Sequence, residues 1–409
     1  MMSETIKVMS AVDEFSDARL VHATGDRLAV PRLGQADSFV LHSGLELLAR
    51  SALMPFVDPV ARPDARARFV ELGDQFEAFD VAIEPPATVD FIDIADAGRR
   101  LIDATACGEL DDVDSAAAWL GRIATPAQLR RLLADALVPS LAAAGHAPIF
   151  LYLLPRVAPR GEATGQLLRQ LARELARNPE WRLTWFDQRG SGAHVASADD
   201  LTAALAATPR LDEPASTFIH PLMSRIDTPD AAGAWLGHET TGRNVHDRSL
   251  AVLRVAAWSM ISEPTRHAPY GWSHCLTMPQ AVLGVADACT DPSIALAVAS
   301  TYVAGFRTMA EGPLVMEMVA QDPHMAVHDA IAIDPRLAAA AAWYDTVRDP
   351  LGVMTTLATA AAVHADAHLV KYTLACFDAA AADPPSRQLY MAASASLASW
   401  WAVQDRQSP

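Results

Sequence analysis

Helix-opening signals recur along this chain at a spacing that leaves little room for a sheet. In "TPAQLRRLLADALVPSLAAAG", Thr125 is placed to cap and Gln128 follows at the capping-box position. Between them Pro126 sits at the first helical position, where its missing N–H costs nothing. The same device recurs as Asp291-Pro292 in "TDPSIALAVASTYVAGFRTMAEG" and as Asp349-Pro350 ahead of an Ala/Leu/Val-rich run that stops at Pro384. Apolar periodicity predicts further helices near 38–53, 161–178, 247–262, 276–289, 335–347 and 387–404. The best strand candidate is the short "WRLTWFD" (181–187). Pro-rich joints at 55–64, 84–87 and 209–215 are too short for flexible linkers, and no fixed-period repeat is present. The chain therefore reads as all-α. Residues 1–35 form a partly extended N-terminal extension, and residues 36–409 form one large helical domain.

Composition narrows what such a domain does. Half of the 409 residues (51%) are hydrophobic, enough for a large core. Acidic residues outnumber basic ones, 49 to 32, and no basic patch is visible, which argues against nucleic acid as a partner. The opening "MMSETIKVMSAVDEFSDARL" has no apolar core of signal-peptide length. The most membrane-like stretch, "LVPSLAAAGHAPIFLYLLP", is broken by Gly145 and three prolines, so no membrane partner is expected. Cys107, Cys275, Cys289 and Cys376 are scattered, without a C-x-x-C pair. Together these features predict a reduced, cytoplasmic protein.

Histidine is where chemistry is to be sought. Thirteen are present, and four lie in sequence that should be interior. His42 falls early in the apolar-faced "DSFVLHSGLELLARSAL". His146 falls between Gly145 and the apolar "APIFLYLLP". His274 stands just ahead of the helix in "YGWSHCLTMPQAVLGVADAC", and His368 lies in "VHADAHLVKYTLAC". In that last stretch His364, His368 and Lys371 have offsets of four and seven, which return to one side of a single helix. A lone histidine on an apolar face is most simply a core residue satisfied by a backbone carbonyl. The His364/His368 pair lacks the Glu of H-E-x-x-H, and a buried lysine needs a partner or a lowered pKa. Several imidazoles meeting in an apolar interior need an occupant, and a nitrogen-preferring divalent metal is the simplest one.

Three segments carry a resemblance. "AAAGHAPIFLYLLPRV", "YGWSHCLTMPQAVLGVADA" and "HADAHLVKYTLACFDAAAADPPSRQLYMAASASLASWW" resemble, in that order, signatures of the questin oxidase-like family of natural-product pathways. The resemblance runs over roughly residues 36–402. It implies a mostly helical, non-haem metal-dependent oxygenase or oxidase of secondary metabolism. The ligand set it implies is His42, His146, His274, His368 and Lys371, the lysine carboxylated by carbon dioxide. His364 is an additional imidazole, either a replacement ligand or a neighbour of the ligands. Fe(II) is the implied metal, with Co, Mn or Zn as alternatives, and dioxygen is the implied co-substrate. Lys371 and His368 are the implied catalytic pair. The implied substrate is a small electron-rich aromatic or heterocycle, reduced anthraquinone-like or azapteridine-like. Tyr152, Arg156, Trp272 and Tyr372 neighbour the ligands in sequence and are the candidate substrate contacts, each with core packing as the plainer role. No G-x-G-x-x-G, P-loop or haem-attachment motif is present. Two competing readings remain open: a zinc-dependent hydrolase or isomerase using the same site, and a helical scaffold with structural histidines.

Overall fold

The computed structural model describes residues 16–33, 38–84, 86–87, 89–157, 166–187, 197–212, 218–228, 242–265 and 267–407. Among them the protein is all-α, with isolated bridges Arg32–Ala82 and Ser140–Arg182 in place of a sheet. No described helix is long and apolar enough to cross a membrane. Backbone packing groups the chain into two compact units that meet in sequence at Arg182 and Leu183. No Pro/Gly-rich run marks that point in the sequence.

The first unit holds α1 (Asp17–Leu28), α2 (Ser38–Leu53), α3 (Arg62–Glu77), α4 (Ile94–Cys107), α5 (Leu110–Ile123), α6 (Pro126–Leu137), α7 (Ala147–Val157) and α8 (Leu168–Arg177). Of the expected N-terminal extension, residues 1–15 and 34–35 lie outside the described residues; within 16–33, α1 is helical and packs on α3, and Arg32 makes an isolated bridge. Ser16 caps α1, Leu20, Val21 and Leu28 are buried along it, and the Thr24 hydroxyl donates to the Phe69 carbonyl at 3.0 Å. The predicted capping box at Thr125 and Gln128 is formed in both directions. Helix α8 is buried nearly all round despite "LRQLARELAR", because Asp114 of α5 takes both arms of Arg169 at 2.6 and 3.0 Å and Arg173 at 3.3 Å. Buried charges persist only when paired in this way.

The second unit holds α9 (Ala198–Ala206), α10 (Ile219–Ser224), α11 (Gly242–Ser262), α12 (Ser273–Gly284), α13 (Pro292–Arg307), α14 (Val327–Ile331), α15 (Pro335–Arg348), α16 (Pro350–Val363), α17 (Ala367–Ala382) and α18 (Arg387–Gln407). Helix α11 packs against α9, α12, α13 and α18, and α12 lies against α17. The five alanines 338–342 of α15 are all buried, and α15 packs closely against α18, itself rich in small residues. The Asp-Pro signals behave as read: Asp291 caps through the Ser293 amide and Asp349 through the Gly352 amide.

Two expectations need correction. The single helix predicted from Asp349 to Pro384 is two, because residues 364–366 leave the helical conformation and Asp366 caps a new start. The strand candidate 181–187 makes one bridge, at Arg182, and then a 3-10 turn over Trp185–Asp187.

Candidate functional site

In the first unit His42 and His146 meet. His42 lies on the fifth residue of α2 and is buried. His146 reaches the same place through an unusual turn. Ala143, Ala144 and Gly145 all take left-handed φ values of 50°, 51° and 67°. Such backbone costs an L-residue roughly 1 kcal/mol or more, and only the glycine escapes it. The turn is pinned from outside, since the Leu141 and Ala142 amides both donate to the Trp181 carbonyl, at 2.8 and 3.2 Å. It delivers His146 to the start of α7, where its Nδ1 lies 2.9 Å from the Ala143 carbonyl. The His42 and His146 rings then stand edge to face, centroids 4.5 Å apart. Strained backbone held by its surroundings is found preferentially at functional positions. Along α2 below His42, Glu46 and Arg50 form a buried ion pair, so that carboxylate is already neutralised.

In the second unit His274 and His368 meet. A π-helical turn, Ala268–Trp272, leads into α12 and rotates its start. His274 is therefore the second residue of the helix rather than just ahead of it. Its Nδ1 contacts the Tyr270 carbonyl, and its ring stacks near Phe306. His368 follows the α17 cap, with Nδ1 facing the Asp366 carboxylate at 3.2 and 3.4 Å. The His274 and His368 rings stand edge to face at 4.9 Å, and Tyr270 lies across His368 at 4.8 Å. Lys371, one turn along α17, is buried as well.

The hydrogen bonds assign the tautomers. A backbone carbonyl can only accept, so Nδ1 of His146 and of His274 must carry the proton. The Asp366 carboxylate requires the same of His368. Burial pushes the Asp366 carboxyl up, but the hydrogen bond from His368 outweighs it and holds the group below its ordinary value. Burial, then the Lys371 charge, pushes the His368 imidazole below its ordinary pKa against the pull of Asp366, which favours the neutral ring. In the neutral form each of the three rings then carries its lone pair on Nε2, the form in which imidazole binds a metal. Sulfur is not part of this chemistry: burial pushes the Cys275 thiol up to about 12 and the Cys376 thiol well above its ordinary value.

His364 is placed elsewhere. The break before α17 takes it off the His368 face, its Nδ1 accepts from the Asp366 amide at 2.9 Å, and its Nε2 lies 3.2 Å from Asp405. Its ring packs on Trp401 of α18. Both nitrogens are committed, which disfavours a ligand role. Trp272 and Tyr372 are fully enclosed in the core of the second unit and offer no exposed face to a substrate. Tyr152 is half-buried and Arg156 exposed on α7, the guanidinium 5.5 Å from the tyrosine ring centre. Asp366, which contacts the His368 ring, is a neighbour that the sequence alone does not single out. Its signal was an Asp just ahead of an apolar run, the ordinary mark of a helix start.

No family model, no curated protein and no solved structure matches this chain.

Proposed function

We propose that the protein is a non-haem metal-dependent oxidoreductase of secondary metabolism and a member of the questin oxidase-like group. In this reading, as the resemblance implies, His42, His274 and His368, each buried, are ligands of one divalent metal. His146 and Lys371 complete the set. The observation that carries the reading is the tautomer pattern: His146, His274 and His368 each spend Nδ1–H on an acceptor-only partner and keep the lone pair on Nε2. The motifs around His146, His274 and His368 supply the family and the expectation of Fe(II), with Co, Mn or Zn able to occupy the same donors.

The donor set fits such a metal in kind, being neutral, soft enough and held by secondary structure. Bound there, the metal would bring dioxygen and an electron-rich substrate into one redox step. The chain's own contributions are more specific. The left-handed turn at 143–145 and the π-turn at 268–272 orient His146 and His274, and Asp366 orients His368. Lys371 is one turn from His368, where a plain ammonium would repel a cation. Carboxylation by carbon dioxide, which needs the amine neutral, turns it into an anionic oxygen donor. The substrate proposed is a flat, electron-rich aromatic or heterocycle, reduced anthraquinone-like or azapteridine-like, with Tyr152 and Arg156 as its candidate contacts.

The test is oxygen uptake. Protein reconstituted with Fe(II) should consume dioxygen with reduced anthraquinones or azapteridine-type heterocycles, without added flavin or nicotinamide. Turnover that is unchanged under strict anaerobiosis would instead favour a zinc-type hydrolase or isomerase.

A further inference from the structure

The corner His364-Ala365-Asp366 separates two helices that sequence periodicity would join. An N-cap alone explains the new helix start but not the geometry found there. The Asp366 carboxylate accepts from the His368 amide at 2.7 Å and the Leu369 amide at 3.3 Å. Both amides use Oδ1, and His368 Nδ1 lies 3.2 Å from that oxygen and 3.4 Å from Oδ2. Serine, an equally good cap, is too short to do both. A second contact fixes the corner from behind. His364 Nδ1 accepts from the Asp366 amide at 2.9 Å, which places its proton on Nε2, facing Asp405 at 3.2 Å. The acceptor carboxylate has a side-chain exposure of 20% and the ring it holds only 5%, so water competes weakly for the bond.

We propose that Asp366 is the positioning residue of the His368 imidazole, setting its ring rotation and tautomer, and that His364 holds Asp366 in place. This inference rests on the reading of His368 as a metal ligand. A carboxylate on the remote nitrogen fixes ring orientation and raises ligand basicity, and losing such a partner typically lowers metal affinity about 10- to 100-fold. His364 acts through the Asp366 backbone alone, so its loss should matter less.

Two readouts separate this role from capping. In metal-free protein labelled with 15N-histidine, two-bond 1H–15N correlations should show His368 in the Nδ1–H form. Asp366→Ser keeps a cap and removes the ring contact, so His368 should become a mixture of tautomers while hydrogen exchange across 367–382 stays as in the parent. Its Co(II) dissociation constant should rise about 10- to 100-fold. Asp366→Asn, which keeps the cap and one acceptor but loses the charge, should fall between the two, and His364→Ala should cost less than Asp366→Ser. If Asp366→Ser fails to fold, the Asn variant carries the test. A His368 ring that stays wholly Nδ1–H in Asp366→Ser, or a Co(II) affinity within twofold of the parent, would overturn the assignment. A parent that binds no Co(II) while the tautomer result holds would remove the metal reading, and with it the purpose given to Asp366.

Discussion

Replacing Asp383 by Asn should loosen the end of α17 without touching His368 or Lys371. Asp383 closes that helix and is only 1% exposed. It accepts from Nε and an Nη of Arg254 on α11, both at 2.7 Å, and from the Tyr390 hydroxyl on α18 at 3.1 Å. One carboxylate thus ties three helices. Asparagine preserves the shape, but one oxygen becomes an NH2 that confronts the guanidinium. At least one charge-assisted bond is lost, worth roughly 1.5–3 kcal/mol when buried. Arg254 is 39% exposed and can turn to water, which pulls the value toward the ~0–1 kcal/mol of surface pairs. A coupling near ~2 kcal/mol is therefore expected from the Asp383→Asn/Arg254→Met double-mutant cycle. The assay is hydrogen exchange of peptides from α17, which reads the opening free energy where the clamp acts. Burial pushes the Asp383 carboxyl up, but hydrogen bonds from Arg254, then Ser386, and lastly Tyr390 outweigh it and hold the folded pKa below the ordinary value. The sign follows: the contribution is complete above the unfolded pKa, near ~3.9, and fades as pH falls through the depressed folded value. A coupling below about 0.5 kcal/mol at neutral pH would refute the clamp, because distant, independent sites already add within that margin.

Other substitutions have equally definite expectations. Ala144→Gly should raise the melting temperature, by an amount corresponding to roughly 1 kcal/mol or less, because φ is 51° there, whereas Ala144→Val should lower it. Arg50→Leu strands the buried Glu46 carboxylate and should cost ~3–5 kcal/mol in urea titration; Glu46→Leu/Arg50→Leu should recover most of it. Gly98→Ala would drive its Cβ into the Leu132 side chain, so that side chain or the helices α4 and α6 must shift, at ~1–3 kcal/mol in the same titration. Lys371→Arg should lose metal as fully as Lys371→Ala, measured by bound metal per chain, since guanidinium cannot form a carbamate.

Helix starts were legible wherever a capping side chain preceded proline, as at Thr125, Asp291 and Asp349, because both devices act locally. The break at 364–366 was missed for the opposite reason. "HADAH" contains neither Gly nor Pro, and Ala365 and Ala367 are strong helix formers, so periodicity ran through it. The deciding interaction is a side chain, Asp366, that serves the next helix. The turn that presents His146 was still less visible. Alanine signals helix, and its left-handed conformation at 143 and 144 is imposed by the Trp181 carbonyl, far along the chain. That His42, His146, His274 and His368 are buried could be read from their apolar neighbours. That His364 departs from His368 could not, since the pair keeps helical spacing in sequence but not in conformation. The buried polar helix α8 owes its place to Asp114, a partner on another helix that local composition does not reveal.

Metal bound per chain tests the central claim most directly. Untagged protein, purified with and without Fe(II), Co(II), Mn(II) or Zn(II) and stripped of loosely held ions, should retain one divalent metal per chain by mass spectrometry of the digest. His274→Ala and His368→Ala, with helix content unchanged by circular dichroism, should retain substoichiometric metal. Parent protein that holds no metal from any of the four solutions, or variants that hold as much as the parent, would contradict the account.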